Sequence, residues 1–521
     1  MLDLKILQGQ ILDGSGAPGF VADIGVKGDR IAEIGDLSEA QAARTLEASG
    51  RIVCPGFIDA HSHSDVFLMV EPSAPSKLTQ GITTEVTGNC GCSAAPIRNA
   101  GFLPADWAAA PLPGSWSSFA DYAALLEKSR PAPNVLPLVG HGKLRAYAMG
   151  FEARAATESE MGDMLKLLGD SMAAGAPGLS TGLIYSPGIF AGAGEIQALA
   201  RTVAAGGGIY ASHMRSEAGA LLEAIAETLD VARETGVRVQ ISHLKTSGRD
   251  NWHLADRALD MIRAGRAAGL EAAADRYPYT ASCTGLDAIL PKWFFAGGKE
   301  ASLARLRPGP DRERLLSDLR RSRAEDYWST VIVASTAHPD QLRFQGMPLV
   351  EAAEAMRLHP AEAALRIIER DELKTEAFFT GMCEENMWKI LAEPYVMIGS
   401  DASLRATEGP MSRDFPHPRA YGTFPKFLRA AIDGITAPLP EAIRKMTSLP
   451  ANHFRIRDRG LIAKGMFADL VMFDPGRVRD RATFSKPHQY SEGIEAVLVN
   501  GRVTLDGNGF TGERAGRVLL R

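Results

Sequence analysis

The chain has 521 residues, 45% of them hydrophobic and 23% charged, with a net charge of −5. That length predicts a large core, organised as one catalytic domain and a smaller companion. With no basic stripe and no apolar run long enough to cross a bilayer, the composition excludes nucleic-acid and membrane partners and leaves a small-molecule one.

In chain order, the first fifty residues read as short strands separated by turns. Leu4–Leu12 is broken at Asp13-Gly14, and Ala22–Gly28 and Arg30–Gly35 alternate apolar residues between Gly and Asp breaks, a hairpin texture. The last seventy residues repeat it in Ala468–Asp474 and Val497–Val503. Between the two β-rich ends a strand-then-helix rhythm takes over. Apolar strands are predicted over Ile52–His61, Thr83–Gly88, Asn134–His141, Gly178–Leu183, Gly208–His213, Arg238–His243, Glu271–Tyr277 and Tyr395–Asp401. Helices are predicted over Glu160–Ala173, Ala220–Glu234 and Leu254–Ala268. Eight strands with helical crossovers fit an α/β fold of the (β/α)8 TIM-like barrel type. Residues 280–345 exceed one crossover and read as an insertion, either a lid over the active site or a surface decoration. A second insertion, rich in Pro and Trp, lies near 101–117.

The polar residues fall in a pattern. His61, Cys90, His141, His213, His243 and Asp401 each sit at or just past the C-terminal end of a predicted strand, the barrel face that carries chemistry. His61 and His63 are two apart on a strand and so face the same side, where two imidazoles reach one metal ion. Cys90, after a Gly-Asn turn, offers a thiolate, a strong zinc ligand; a buried structural thiol is the plain alternative, and Cys92 is the second candidate. His213 and His243 end adjacent strands in the same Ser-His pattern and need acceptors on their other ring nitrogens. Asp401 closes an apolar strand, as a metal ligand, a proton acceptor or the cap of the next helix. The five cysteines are few and scattered, and the amino terminus lacks a basic-then-apolar leader. A cytoplasmic protein without a disulfide framework is therefore expected.

These residues, in this order, resemble the D-aminoacylases (N-acyl-D-amino-acid deacylases) of the amidohydrolase superfamily. Gly88-Asn-Cys-Gly91, Gly140-His-Gly-Lys-Leu-Arg145, Gly178-Leu-Ser-Thr-Gly-Leu-Ile-Tyr185, Tyr277-Pro-Tyr279, Pro416-His-Pro-Arg419 and Arg459-Gly-Leu-Ile462 all match. The resemblance implies a catalytic barrel over 55–454 and a small β-sandwich domain built from 1–54 and 455–521. It also implies zinc held tightly by Cys90, His213 and His243, with His61, His63 and Asp401 lining a second, weaker site whose filling is left open. Hydantoinases and dihydroorotases, which share the barrel, bridge two metals with a modified lysine on the fourth strand, and this chain has none there. Tyr185 matches a tyrosine that donates to the substrate carbonyl, although it is also placed to pack a loop, and Lys245 matches a lysine that grips the substrate carboxylate. Arg276, Tyr277 and Tyr279, at the end of the seventh strand, are further candidate donors to substrate; alternation sets Arg276 apart from the two tyrosines. Lys292, Arg405 and Arg413 are extra cations that leave room for an acidic or larger substrate.

The implied activity is zinc-dependent hydrolysis of N-acyl-D-amino acids to a carboxylate and a free D-amino acid. The alternatives are another C–N hydrolase of the superfamily, acting on a cyclic amide or dipeptide, and a non-catalytic barrel homologue. A homo-oligomer is left open.

Overall fold

The computed structural model describes residues 1–99, 102–108 and 110–521; within the predicted insertion near 101–117, residues 101 and 109 lie outside them. Eight parallel segments run through the middle of the chain: β1 (Phe57–Asp59), β2 (Ile82–Thr87), β3 (Asn134–Pro137, resumed at Val139–Gly140), β4 (Gly178–Gly182), β5 (Ile209–His213), β6 (Arg238–Ile241), β7 (Ala272–Arg276) and β8 (Val396–Ile398). β1 pairs with β2 and β2 with β3, while β3 through β8 pair successively in a second parallel sheet. Backbone bonds also run between the outer edges: Ala60 N donates to Ile398 O at 3.2 Å and Asp401 N to His61 O at 2.8 Å. Apolar residues fill both faces, as buried parallel strands require.

The crossover helices follow from amphipathic spacing and caps. The helix predicted from Glu160 begins at Glu158, because Thr157 accepts from Glu160 N while the Glu160 side chain returns a bond to the cap. Helices Leu221–Thr235 and Ala255–Ala267 bury one apolar stripe each.

The chain ends join one nine-stranded mixed sheet, whose strands come from residues 2–55 and 470–510. The predicted strand Ile52–His61 is in fact two strands in two sheets. Ile52–Pro55 pairs with Leu470–Phe473, and only then does β1 begin. Gly56 makes the break: its N donates to Asp469 O at 2.8 Å, and a Cβ there would meet Thr83 Oγ1 at 2.2 Å.

The predicted insertion forms its own unit. Ala281–Gly285 and Val331–Val333 flank Glu376–Thr380 in an antiparallel sheet, so the unit extends past residue 345 to the strand that completes it. Helices Gly298–Leu306 and Pro310–Ser322 cover a separate apolar cluster around Trp328, Phe294 and Leu315. Among the described residues no helix is long and apolar enough to cross a membrane.

His453, at the end of the helix Ser448–His453, has a buried Nε2 without a hydrogen-bond partner. Burial, reinforced by Arg238 and Arg266, lowers it from its ordinary value of 6.5 to about 3. Between those values the unfolded chain binds a proton that the folded chain refuses, so stability is lost as pH falls from 6.5 toward 3. Replacing His453 with Gln is expected to move the acid-unfolding midpoint, followed by circular dichroism, to lower pH; an unmoved midpoint would refute this role.

Candidate metal centre

Three side chains at the strand ends stand on left-handed backbone: Cys90 at φ 53°, His243 at φ 36° and Asp401 at φ 50°. Non-glycine residues persist there only when their surroundings hold them, and such strain gathers at functional sites. The restraints are specific. Around Cys90, Gly88 N donates to Asp65 Oδ2 at 3.2 Å and Gly91 N to Ser180 Oγ at 3.0 Å. His243 N donates to Asp275 Oδ1 at 2.8 Å. Asp401 N bonds across to His61 O on the β1 side.

The side chains converge. Cys90 Sγ lies 3.3 Å from His61 Nε2 and 3.5 Å from His243 Nε2. Asp401 Oδ1 is 3.1 Å from His63 Nε2 and 3.4 Å from His61 Nε2. His243 Nε2 is 2.9 Å from His213 Nδ1. The ligand atoms of His61, Cys90, His243 and Asp401 lie within 4.8 Å of one another, as do those of His213, Glu217 and His243. The acceptors that the imidazoles require are Asp275, 3.2 Å from His61 Nδ1, and Glu217, 2.6 Å from His243 Nδ1. His213 Nε2 is buried with no hydrogen-bond partner.

This donor set fits a divalent ion of the zinc type. It combines one sulphur, several imidazole nitrogens and a carboxylate, turned toward each other rather than toward complementary groups. Burial pushes the Cys90 thiol up, but His61, His243 and His213 outweigh it and hold the thiol well below its usual range, in the thiolate form that binds metal. Burial likewise opposes ionisation of Asp401; the Arg419 guanidinium, 2.7 Å from its Oδ2, and the imidazoles of His243 and His61 prevail and keep it an anion. Tyr185 is pushed well up, first by burial and then by the Cys90 charge, so its phenol remains a donor; its OH lies 3.0 Å from Thr284 Oγ1.

A cavity of about 1060 Å³ opens over this cluster, and His63, Cys90, Tyr185, His213, Lys245, Asp401 and Arg419 line it. His61 is fully buried beneath. Lys245 contacts Glu217 and lies 2.8 Å from His243 Nδ1, so the predicted carboxylate grip already has an anionic partner. Arg276, Tyr277 and Tyr279 do not line the cavity. Arg276 is 1% exposed and donates to Tyr279 O at 3.1 Å and Met382 Sδ at 3.0 Å, bracing the turn after β7. Tyr277 is buried under Arg419, 4.6 Å from its ring centroid, and the Tyr279 hydroxyl points to Asp480. Of the extra cations, Arg405 pairs with Asp414 and Lys292 is exposed over Phe190.

Sequence reasoning passed over Arg419, Glu217 and Asp275. Each had a signal: Arg419 ends the matching Pro-His-Pro-Arg stretch, Glu217 lies one helical turn's count past His213, and Asp275 is a carboxylate inside an alanine-rich buried strand. His141, also on the rim, bonds Glu195 at 2.7 Å, which Arg145 shares, and stays outside the cluster. On the fourth strand, Gly178–Gly182, which holds no lysine, a Cβ at Gly182 would meet Cys90 O at 2.0 Å, so the Cys90 loop fills the space over that residue.

Comparison with known proteins agrees. The family model described as "Amidohydrolase family" matches residues 44–295 and 396–505. An N-acyl-D-glutamate deacylase of Alcaligenes xylosoxydans xylosoxydans is 39% identical, covering 100% of this chain and 97% of its own. A crystal structure of N-acyl-D-glutamate deacylase from Bordetella bronchiseptica, complexed with zinc and a phosphonate mimic of the tetrahedral intermediate, superposes with a TM-score of 0.85 at 35% identity, covering 100% of both chains. A D-aminoacylase structure described by its binuclear metal centre, with one-metal activation and second-metal attenuation, gives 0.84 at 35% identity, again over 100% of both.

Replacing Cys90 with Ser is expected to abolish zinc retention through dialysis, whereas Cys92→Ser keeps near-normal zinc, both measured by plasma mass spectrometry. A fully loaded Cys90→Ser protein would remove Cys90 from the tight site.

Proposed function

Because the chain belongs to the D-aminoacylase branch of the amidohydrolase family, we propose that it hydrolyses N-acyl-D-amino acids to a carboxylate and a free D-amino acid, with zinc as its cofactor. The observation that carries this is the convergence of His61, Cys90, His243 and Asp401, with His213 against His243 and His63 against Asp401, at the floor of one cavity. Cys90, His213 and His243 would hold the tight zinc, and His61, His63 and Asp401 would line a second, weaker position. Zinc, when bound, supplies Lewis acidity that acidifies water and polarises an amide carbonyl.

The chain's own groups do the rest. Asp401, kept ionised, accepts a proton from the attacking water and hands it to the leaving nitrogen, so one carboxylate serves in both directions. Tyr185 donates its phenolic hydrogen toward the carbonyl oxygen, where negative charge develops. Arg419 carries a buried Nε without a partner and, with Lys245, offers donors to the substrate's α-carboxylate. A carboxylate bound there draws on the charge that holds Asp401 low, so Asp401 becomes a stronger base when substrate arrives.

The finer architecture follows the same reading. Residues 55–454 form a (β/α)8 barrel, supported by the bonds that join β8 to β1, and 1–54 with 455–521 form the small β-sandwich domain. The unit begun at 280–345 overhangs the cavity through Cys283, Thr284 and Asp287 and serves as its lid. Five cysteines, none of them in a disulfide, support a cytoplasmic setting. The cyclic-amide alternative loses support from the absence of a lysine on the fourth strand, Gly178–Gly182.

Zinc-loaded enzyme assayed against matched N-acyl-D- and N-acyl-L-amino acids is expected to turn over the D set; activity on the L set alone, or on neither, would sink the proposal. Asp401→Asn is expected to lower kcat by about 10²–10⁴ with zinc content nearly normal, and substantial turnover would remove its role as base.

A further inference from the structure

One cluster of charge lies outside the cavity and has no part in the mechanism above. Lys77, on the short helix Pro75–Leu78, is fully buried, and so are Asp59 and Glu85. Its Nζ lies 2.9 Å from Asp59 Oδ2 and 3.1 Å from Glu85 Oε2. A buried lysine with two carboxylates is expensive to desolvate, and a well-packed apolar cluster of the same volume is commonly as stable or more so. Stability therefore does not account for it.

Its remaining bonds do. Lys77 Nζ donates to Ser400 Oγ at 3.0 Å, to Ala402 O at 2.9 Å and to Ser62 Oγ at 3.3 Å. Ser400 and Ala402 flank Asp401, and Ser62 lies between His61 and His63. The carboxylates repeat the grip. Asp59 accepts from Ser400 N at 2.8 Å and Ser400 Oγ at 2.6 Å; Glu85 accepts from the Ser62 and Ser64 hydroxyls. Ser64 Oγ in turn accepts from Leu404 N at 2.9 Å. Beside them, direct side-chain bonds join the two segments: Ser62 Oγ donates to Ala402 O at 3.3 Å, Ser400 Oγ to His61 O at 3.4 Å and Ser403 Oγ to His63 O at 2.8 Å. The turn they hold is strained, since Asp401 is left-handed.

We propose that Lys77, with Asp59 and Glu85, is a positioning device for the proposed base: it fixes Asp401 relative to His61 and His63 across the junction of the first and last parallel strands. This rests on the hydrolase reading given above. It predicts an effect on the chemical step rather than on substrate capture, because Arg419 and Lys245 receive no bond from the cluster.

Two variants test it. Ser400→Ala cuts the link while leaving no buried charge unpaired, so it keeps the fold; Lys77→Met removes the hub. In zinc-loaded enzyme each is expected to lower kcat about tenfold or more, with KM within about twofold of the parent. Co2+-loaded Ser400→Ala is expected to show displaced ligand-field bands, read by visible absorption. A melting temperature that falls while kcat, KM and the cobalt spectrum of Ser400→Ala stay as in the parent overturns the proposal, and so does a loss carried by KM alone. If the parent hydrolyses no N-acyl-amino acid, the hydrolase reading fails, and the cobalt spectrum alone decides: displaced bands uphold the positioning role and unchanged bands overturn it.

Discussion

The centre of this molecule depends on one close approach, that of the Cys90 carbonyl to Gly182. No side chain fits between them, since even a methyl group would sit 2.0 Å from the oxygen. The approach swings the loop after β2 over the end of β4 and fixes Cys90 in a left-handed conformation. Its sulphur is thereby delivered among His61, His213 and His243, which end or follow strands on both sides. The same contact leaves no room for a side chain at residue 182. The bare glycine on β4 is thus what lets the Cys90 backbone approach, and a larger residue at 182 would displace the loop that carries the sulphur.

Much of this was legible in sequence, for identifiable reasons. The eight parallel strands are short apolar runs, because strands buried on both faces have no polar alternation to hide in. Their polar terminal residues stand out against that background, which is why His61, Cys90, His213, His243 and Asp401 were found together. What stayed hidden depends on angles that no periodicity encodes. Gly56 divides one apparent strand between two sheets through its contact with Thr83. The insertion runs past residue 345 because its middle strand, Glu376–Thr380, is the last to be made. Arg276 has the right place in the sequence for a substrate donor, but the Tyr-Pro-Tyr turn folds back over it; its Nη2 bonds Tyr279 O and Met382 while Nε and Nη1 are buried away from the cavity. Arg419, proposed above for that role, stands far along the chain as the first residue of the helix Arg419–Ile432, where no strand end marks it.

The charges of the cluster give an independent reason to expect metal. Asp275, Asp401, Glu217 and the Cys90 thiolate are four buried or nearly buried anions, and Lys245 and Arg419 are the two cations beside them. Without metal, the imidazoles of His61, His63 and His243 are pushed up toward protonation and offset those anions. With the rings neutral, as metal binding requires, the excess of two negative charges equals the charge of one divalent ion. Such an excess is unfavourable in a low-dielectric interior unless something cancels it. Directly below, Asp59 and Glu85 outnumber Lys77 and add one more negative charge. A single divalent ion at Cys90 therefore leaves the His61, His63 and Asp401 side still electronegative. That residual charge, rather than the count of ligand atoms, is the physical ground for the second, weaker cation position proposed above. It also explains why that position is weaker: Arg419 already claims one oxygen of Asp401, so an ion arriving there competes with a guanidinium for the same carboxylate.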